Sequence, residues 1–206
     1  MKGKNIALVS DAGTPGISDP GEDLVKLCVE KDIKVTAIPG PVAAVSGLIV
    51  SGLPSGRFAF EGFLSMNKRI RKERLDSLKN EVRTIVFYEA PHKLVHTLKD
   101  LYKAFGNRKV VFARELTKKF EEIIRCDIKE AIDKYEEQSP KGEFVVMVEG
   151  VSEDEITANQ KKSWDNMKLE EHLELYMDEG LDKKDAMKKV AEDRGISKRE
   201  VYKALL

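Results

Sequence analysis

One stretch decides the fold: Val9-Ser10-Asp11-Ala12-Gly13-Thr14-Pro15-Gly16-Ile17-Ser18-Asp19-Pro20-Gly21. An apolar run, residues 6–9, leads into it, and a helical pattern over residues 22–30 follows it. This order predicts a strand, a Gly/Pro-rich loop and a helix start, and in open α/β folds such a turn lies where ligands bind. The glycines allow a ligand to approach the backbone closely, and the amides of the loop and helix N-terminus can donate hydrogen bonds to it.

Two named binding motifs do not fit this loop. It has no Gly-Lys-Ser or Gly-Lys-Thr ending, which excludes a Walker A P-loop. Its spacing, Gly13-x-x-Gly16-x-x-x-x-Gly21, differs from the dinucleotide-binding fingerprint. A tight strand-to-helix connection without a ligand is the alternative, because glycines mark turns in most proteins.

A second stretch repeats the arrangement. Residues 35–38 are a short β-type run, followed by Pro39-Gly40-Pro41 and by an apolar helical segment at residues 42–50. Two such units in succession predict neighbouring strands of a parallel sheet. Their two glycine turns would then line one crevice.

Three separated motifs carry a resemblance to a known family. They are residues 10–21, the turn at residues 38–41, and Val86-Phe87-Tyr88-Glu89-Ala90-Pro91-His92-Lys93. In this order they resemble the tetrapyrrole-methylase-like superfamily of methyltransferases, and within it the enzymes that methylate the RNA of the small ribosomal subunit. The match runs to about Gly150 and extends more loosely into the C-terminal part.

The resemblance implies methyl transfer from S-adenosyl-L-methionine to the ribose 2′-hydroxyl of a cytidine in the decoding region of 16S rRNA. It also implies that 16S rRNA or the small ribosomal subunit is the partner, that the chain forms a homodimer, and that no metal is needed. By the same resemblance, the donor would be held by Ala12, Gly13, Thr14, Ile17, Val42, Ala43, Glu89 and Leu116.

The opening of the sequence departs from the family pattern. Relatives in the family begin with a strand and a loop of the Thr-Pro-Ile-Gly-Asn-Leu type, and this sequence begins with the run at residues 6–9 instead. We therefore expect the first domain to be truncated, part of the donor and substrate cleft to be missing, and the activity of these residues alone to be reduced.

Two carboxylates are candidates for the proton of the acceptor hydroxyl. Glu89 and Glu115 follow predicted strands at residues 84–88 and 109–113, at the edge that faces the cleft. A positioned carboxylate can accept a proton directly or through water, although at its ordinary pKa it is a weak base for a ribose hydroxyl. The alternative is that both are hydrogen-bonded loop residues.

A basic helix and a basic loop are candidates for phosphate contact. The helix is predicted at residues 67–80, and Ile70, Leu75 and Leu78 would hold it on the protein. Such a face is either solvated or an RNA-binding surface. The RNA-binding candidates are Lys68, Arg69, Arg71, Lys72, Arg114, Lys118 and Lys119.

The predicted fold class is α/β, with two α/β domains of the tetrapyrrole methylase type and a C-terminal helical tail. The predicted boundaries are residues 1–53 for the truncated donor-binding domain, 54–150 for a second domain with a mixed sheet, and 151–206 for a linker and the tail. Within the tail, helices predicted at residues 169–177, 183–193 and 197–205 resemble a helix-turn-helix. By the family resemblance, this tail would help to grip ribosomal RNA.

Composition limits the function classes. The 206 residues carry a formal net charge of zero, so any nucleic-acid binding must come from a local patch. Cys28 and Cys126 are far apart without metal-ligand spacing, which indicates buried free thiols in a reducing cytoplasm. No apolar run is long enough to span a membrane.

Two other functions compete with RNA methylation. The first keeps the donor but transfers the methyl group to a tetrapyrrole or another small molecule, against which the basic helix and the tail argue. The second is a non-catalytic RNA-binding piece whose donor site is inactive. Methyl transfer that requires RNA distinguishes the first, and donor affinity distinguishes the second.

Overall fold

The computed structural model describes residues 3–152, 154–156, 158, 164 and 167–204. They belong to two compact units, Met1–Val151 and Ser152–Leu206. Each unit is considered by itself.

The first unit is a mixed α/β structure. Its helices are α1 (Glu22–Glu30), α2 (Ala43–Ser51), α3 (Lys68–Ser77), α4 (Leu94–Phe105) and α5 (Ile128–Glu137), with a 3-10 turn at Pro91–Lys93. Its strands are β1 (Phe58–Phe63), β2 (Thr84–Glu89), β3 (Lys109–Arg114), β4 (Glu122–Asp127) and β5 (Phe144–Val148).

The five strands form one sheet in the order β1-β2-β5-β3-β4. Strands β1 and β2 are parallel, whereas β5 is antiparallel to both β2 and β3, and β4 is antiparallel to β3. The central strand β5 is buried along its whole length, which explains its uninterrupted apolar sequence. The mixed sheet predicted for this part of the chain is confirmed.

The sheet separates two apolar clusters, and alternate residues of β2 contribute to each. Ile85 and Phe87 pack in the cluster with helices α4 and α5. Val86 and Tyr88 pack on the opposite face with helix α2. Because successive side chains of a strand point to opposite faces, this alternation decides which strand-end residues can reach the glycine turns near α2.

The sequence predicts strands at residues 6–9 and 35–38, and the structure shows that both predictions are wrong. Neither run is in a strand, and Ile6, Val9 and Ile38 are exposed by 86%, 80% and 78%. A strand forms only when its backbone groups pair with a neighbour, and in the described residues no strand pairs with either run. The two glycine turns are therefore connected to helices α1 and α2 without a parallel sheet beneath them.

The second unit is helical where it is described. Helices α6 (Leu169–Asp178), α7 (Lys183–Arg194) and α8 (Lys198–Ala204) match the three predicted there. Their core contains Leu173, Val190 and Val201. The linker predicted for residues 151–165 lies partly outside the described residues, as does Leu205 at the end of the third predicted helix.

Two sequence predictions concern single features of the chain. Cys28 and Cys126 are both free, and both are half-buried rather than buried. Among the helices formed by described residues, none combines the length and the apolar character needed to cross a bilayer.

Candidate active site

The two glycine turns are in direct contact. The backbone amide of Thr14 donates to the carbonyl oxygen of Pro41 at 3.0 Å, and the Thr14 hydroxyl donates to the same oxygen at 3.2 Å. Gly13 has φ +77°, and a Cβ at this position would lie 3.0 Å from that oxygen. The first turn therefore needs glycine both for its backbone conformation and for its close approach to the second turn.

The first turn is also held from within. The Ser10 hydroxyl lies 3.2 Å from the carbonyl oxygens of both Ala12 and Gly13, to which it can donate. Ala12 and Gly13 are exposed, and Ile17 is 44% exposed. The predicted donor residues of this turn thus present accessible backbone and one accessible apolar side chain.

Helix α2 begins directly after the second turn, and Tyr88 holds its first turn. Val42 is the N-cap residue, and no side chain caps the helix there. The backbone amide of Ala44 donates to the Tyr88 hydroxyl at 3.1 Å. The Tyr88 ring contacts Phe60 and Phe63, with centroids 5.1 and 5.6 Å apart. Sequence reasoning did not select Tyr88, although its place in β2, between Phe87 and Glu89, indicates the face toward α2.

Leu116 reaches the same region from the end of β3. It is partly buried and packs against the cluster beneath α2, as do Val42 and Tyr88. Thr14, Val42 and Leu116 come from three separate stretches of the chain, and all three belong to the glycine turns or to the apolar cluster next to them. The structure thus brings most of the predicted donor residues to one side of the sheet.

Glu89 faces away from this region. Its side chain is buried, and both carboxylate oxygens are occupied: Oε1 accepts from the Ala90 amide at 2.8 Å and Oε2 from the Thr97 hydroxyl at 2.5 Å. Thr97 belongs to helix α4, on the face of the sheet opposite α2. In this arrangement the carboxylate fixes the turn after β2.

Glu115 is more accessible. Its Oε1 accepts from the Glu143 amide at 2.9 Å and from the Lys118 ammonium at 3.1 Å. These hydrogen bonds, the one from the Glu143 amide first, hold the pKa of the Glu115 carboxyl below its ordinary value. Among described residues no hydrogen bond reaches Oε2. Glu115 is therefore ionised at neutral pH, with one oxygen free.

The structure corrects the assignment of Arg71 to an RNA-binding face. Arg71 is only 8% exposed. Its guanidinium donates to Asp100 at 2.7 Å and to the Ser65 carbonyl at 3.0 Å, and it lies 2.9 Å from Nε2 of His96. These contacts occupy the guanidinium N–H groups that a phosphate would need, so Arg71 joins helices α3 and α4 instead.

The other basic candidates differ in whether their side chains form ion pairs. Lys68 and Lys72 on α3 and Lys119 after β3 are exposed. The remaining three are in ion pairs: Arg69 with Glu73 at 3.2 Å, Arg114 with Glu122 at 3.0 Å, and Lys118 with both Glu115 and Glu143 at 3.1 and 2.8 Å. Ile70, expected to anchor α3, is 53% exposed, whereas Leu75 and Leu78 are buried.

Comparison with known proteins identifies the relatives of this chain. The family model described as Tetrapyrrole (Corrin/Porphyrin) Methylases matches residues 1–132. The chain is 45% identical over 202 residues to the Ribosomal RNA small subunit methyltransferase I of Bacillus subtilis (strain 168), covering 98% of this chain and 69% of that protein. It is 45% identical to the protein of that name from Synechocystis, covering 99% and 72%, and 41% identical to that from Escherichia coli O157:H7, covering 100% and 70%.

A solved structure shares the fold. The chain matches the crystal structure of the methyltransferase CobJ with a TM-score of 0.53 and 20% sequence identity, covering 68% of this chain and 62% of that one. At this identity the match speaks only to the fold.

Proposed function

The chain belongs to the tetrapyrrole (corrin/porphyrin) methylase family, and from this premise we propose that it is an S-adenosyl-L-methionine-dependent methyltransferase acting on the RNA of the small ribosomal subunit. One observation carries the proposal: relatives named for that activity are 41–45% identical to this sequence over nearly its whole length. The finer proposal is 2′-O-methylation of a cytidine ribose in the decoding region of 16S rRNA.

The residues around the glycine turns suit the donor. Exposed backbone at Ala12 and Gly13 offers hydrogen-bonding groups to the amino-acid portion of S-adenosyl-L-methionine, and we propose that the half-buried Thr14 holds this turn against the second one, beside the N-terminus of α2. The partly buried side chains of Val42 and Leu116 offer apolar surface to the adenine. We propose that Ile17 and Ala43 complete this binding surface, and that Glu89 supports it indirectly through the turn after β2.

Methyl transfer requires mainly that the protein position the methyl donor and the acceptor. The bound donor supplies an electrophilic methyl group, and the protein must hold the acceptor oxygen in line with it. The acceptor must also lose its proton. We propose that Glu115 receives this proton, directly or through water, because its Oε2 has no hydrogen-bond partner among described residues, whereas both oxygens of Glu89 do.

RNA phosphates would be held by the basic side chains of the first unit. Lys68, Lys72 and Lys119 are exposed and available. Arg69, Arg114 and Lys118 would have to exchange a carboxylate partner for a phosphate. We further propose a homodimer in the cytoplasm, and a division of the first unit near residue 53 into a donor-binding part and a second α/β part.

Methyl transfer tests the proposal directly. The chain is incubated with labelled S-adenosyl-L-methionine and small ribosomal subunits that lack the modification, and in parallel with naked 16S rRNA and without RNA. We expect RNA-dependent incorporation that maps to one ribose. Donor binding without any label in RNA would contradict the proposal and favour a small-molecule acceptor.

A further inference from the structure

A groove between helices α7 and α8 in the second unit has a cationic rim and an apolar floor. It is open to solvent, has a volume of about 720 Å³, and is lined by Lys183, Lys184, Met187, Lys198, Arg199 and Tyr202. Four of these six residues are cations and none is acidic. A groove of this composition suits a ligand that carries several negative charges along its length.

The cations on the rim are not neutralised by the acidic residues that cap the two helices. None of the four forms an ion pair with another residue in the described part of this unit. The Asp182 carboxylate accepts from the amides of Lys184 and Asp185, both at 2.8 Å, and the Glu200 carboxylate accepts from the Ser197 amide at 2.7 Å. The Lys198 ammonium donates to the Lys184 carbonyl oxygen at 3.0 Å, a contact that leaves its charge unneutralised. Because the two carboxylates serve the helix ends, the positive charge of the groove stays available to a ligand.

The apolar part of the groove includes an accessible aromatic ring. Tyr202 is 56% exposed, although the next residue toward the N-terminus, Val201, is fully buried in the core of the unit. Met187 is 6% exposed and also belongs to that core. Tyr202 therefore stands on a helix that is packed in place, with its ring open to solvent beside Lys198 and Arg199.

We propose that this groove binds single-stranded RNA, with phosphates on the four cations and one base stacked on Tyr202. Exposed aromatic rings interleaved with cations are the pattern that single-stranded nucleic acids require, since each base offers a face for stacking. A duplex would offer phosphates, but its bases are already stacked and leave the Tyr202 ring without a role. The choice of RNA as the polymer depends on the proposed function.

The test measures RNA binding by the full chain, without methyl transfer. A fluorescently labelled, unstructured RNA oligonucleotide of mixed sequence is titrated with the wild type, Lys184→Glu and Tyr202→Leu, at several salt concentrations. We expect Tyr202→Leu to weaken binding about tenfold, because it removes the stacking face but keeps an apolar side chain. We expect Lys184→Glu to weaken binding and to lower the salt dependence by at least about one phosphate contact, a change of about 0.7 in the logarithmic slope.

Lys189→Glu is the matched control. Lys189 lies on the same helix as Lys184 and is exposed. It follows the groove residue Met187 by two positions, and residues two apart on a helix point in different directions, so Lys189 faces away from the groove. The same charge reversal there should change affinity much less. Circular dichroism checks that each variant is folded, and Lys184→Glu places an acid in the first turn of α7, where it favours the helix.

Three outcomes overturn the inference: equal losses from Lys184→Glu and Lys189→Glu, unchanged binding by Tyr202→Leu, or duplex DNA that competes as well as single-stranded RNA. These outcomes are separate from the test of the proposed function. If the groove variants lose RNA binding while the wild type methylates no ribosomal RNA, then the proposed function is wrong and the inference stands.

Discussion

The Tyr88 hydroxyl accepts a hydrogen bond from the backbone amide of Ala44, and thereby joins the end of strand β2 to the first turn of helix α2. The amides in the first turn of a helix have no partner within the helix, and a side chain from elsewhere can supply one. Here that side chain is Tyr88 of strand β2. The next residue of the same strand, Glu89, faces the other side of the sheet. The Tyr88 hydroxyl therefore helps to fix the start of helix α2, which directly follows the second glycine turn.

Replacing Tyr88 by Phe tests this dependence. The ring contacts with Phe60 and Phe63 remain, but the Ala44 amide loses its partner, so we expect the free energy of unfolding to fall by about 1 kcal/mol. Affinity for S-adenosylhomocysteine should also fall. Urea unfolding and calorimetric titration measure the two effects. Tyr102→Phe is the control, because Tyr102 is 41% exposed. Equal effects of the two substitutions would contradict the prediction.

Substitutions at Gly13 and Gly16 distinguish the effect of backbone strain from the effect of the contact between the two glycine turns. Both have positive φ, +77° and +89°, so alanine strains the backbone similarly at either position. Only at Gly13 would the new Cβ meet another group, the Pro41 carbonyl oxygen, whereas Gly16 faces open space. We expect Gly13→Ala to weaken donor binding about tenfold more than Gly16→Ala, equivalent to about 1.4 kcal/mol. Similar donor affinities, measured by calorimetry, would show that contact between the turns does not matter.

The contact between the glycine turns illustrates how far the sequence goes. The repeated glycine turns predicted that the two loops would line one crevice, and in the structure the hydrogen bonds from Thr14 to Pro41 join them. The strands expected beneath them at residues 6–9 and 35–38 are not formed. Apolar periodicity shows that a segment favours burial, but a strand also needs a partner, and a run of four residues does not specify one.

Side-chain direction is the second limit. A strand end can be located from the sequence to within a residue or two, but Tyr88 and Glu89 at the end of β2 face opposite sides of the sheet. Helix α3 shows the same limit, because its basic residues look equivalent in the sequence while Arg71 is buried against Asp100 and Lys72 is exposed. Which cation is buried depends on acceptors supplied by other elements, which no local pattern reveals.

Arg71 and Lys72 form a natural pair for substitution by Met. Arg71→Met leaves the half-buried Asp100 carboxylate without its partner, and we expect it to lower the free energy of unfolding by about 3 kcal/mol. Lys72→Met removes an exposed charge, so stability should change by less than about 0.5 kcal/mol while RNA affinity falls. Thermal unfolding and RNA titration provide the two readouts. A mild effect of Arg71→Met on stability, with a large loss of RNA affinity, would restore Arg71 to the RNA-binding face.

Glu115 and Glu143 share the Lys118 ammonium and therefore make a matched pair for catalysis. If Glu115 accepts the proton, Glu115→Gln should lower kcat by about 100-fold, at the low end for general bases because its pKa is already lowered. The KM for the donor should stay unchanged. Glu143→Gln removes the other carboxylate on Lys118 and should have little effect on kcat. Steady-state methyl transfer measures both, and equal kcat values would remove Glu115 from the chemistry.

His172 is a titratable group in the core of the second unit. Its ring is fully buried, stacks on Trp164 at 5.1 Å, and accepts a hydrogen bond at Nδ1 from Arg194 at 3.1 Å. Acceptance at Nδ1 places the proton of the neutral ring on Nε2, which lies 3.5 Å from Asp193. Burial, together with the Arg194 charge, lowers the pKa of His172 below 6.5, despite the opposing effect of Asp193.

The second unit should therefore lose stability in acid. As pH falls through 6.5, the unfolded chain binds a proton that the folded unit does not, so the equilibrium shifts toward unfolding until the pH passes below the lowered pKa of His172. Trp164 is the only tryptophan in the chain, so its fluorescence during urea unfolding reports on this unit alone. In the wild type we expect the urea concentration at the unfolding midpoint to decrease as the pH is lowered from about 7.5 to about 5.5. His172→Gln, which keeps an acceptor for Arg194 but does not titrate, should have a nearly flat midpoint over the same range. An equally steep decline in that variant would mean that carboxylates, not His172, govern the acid response.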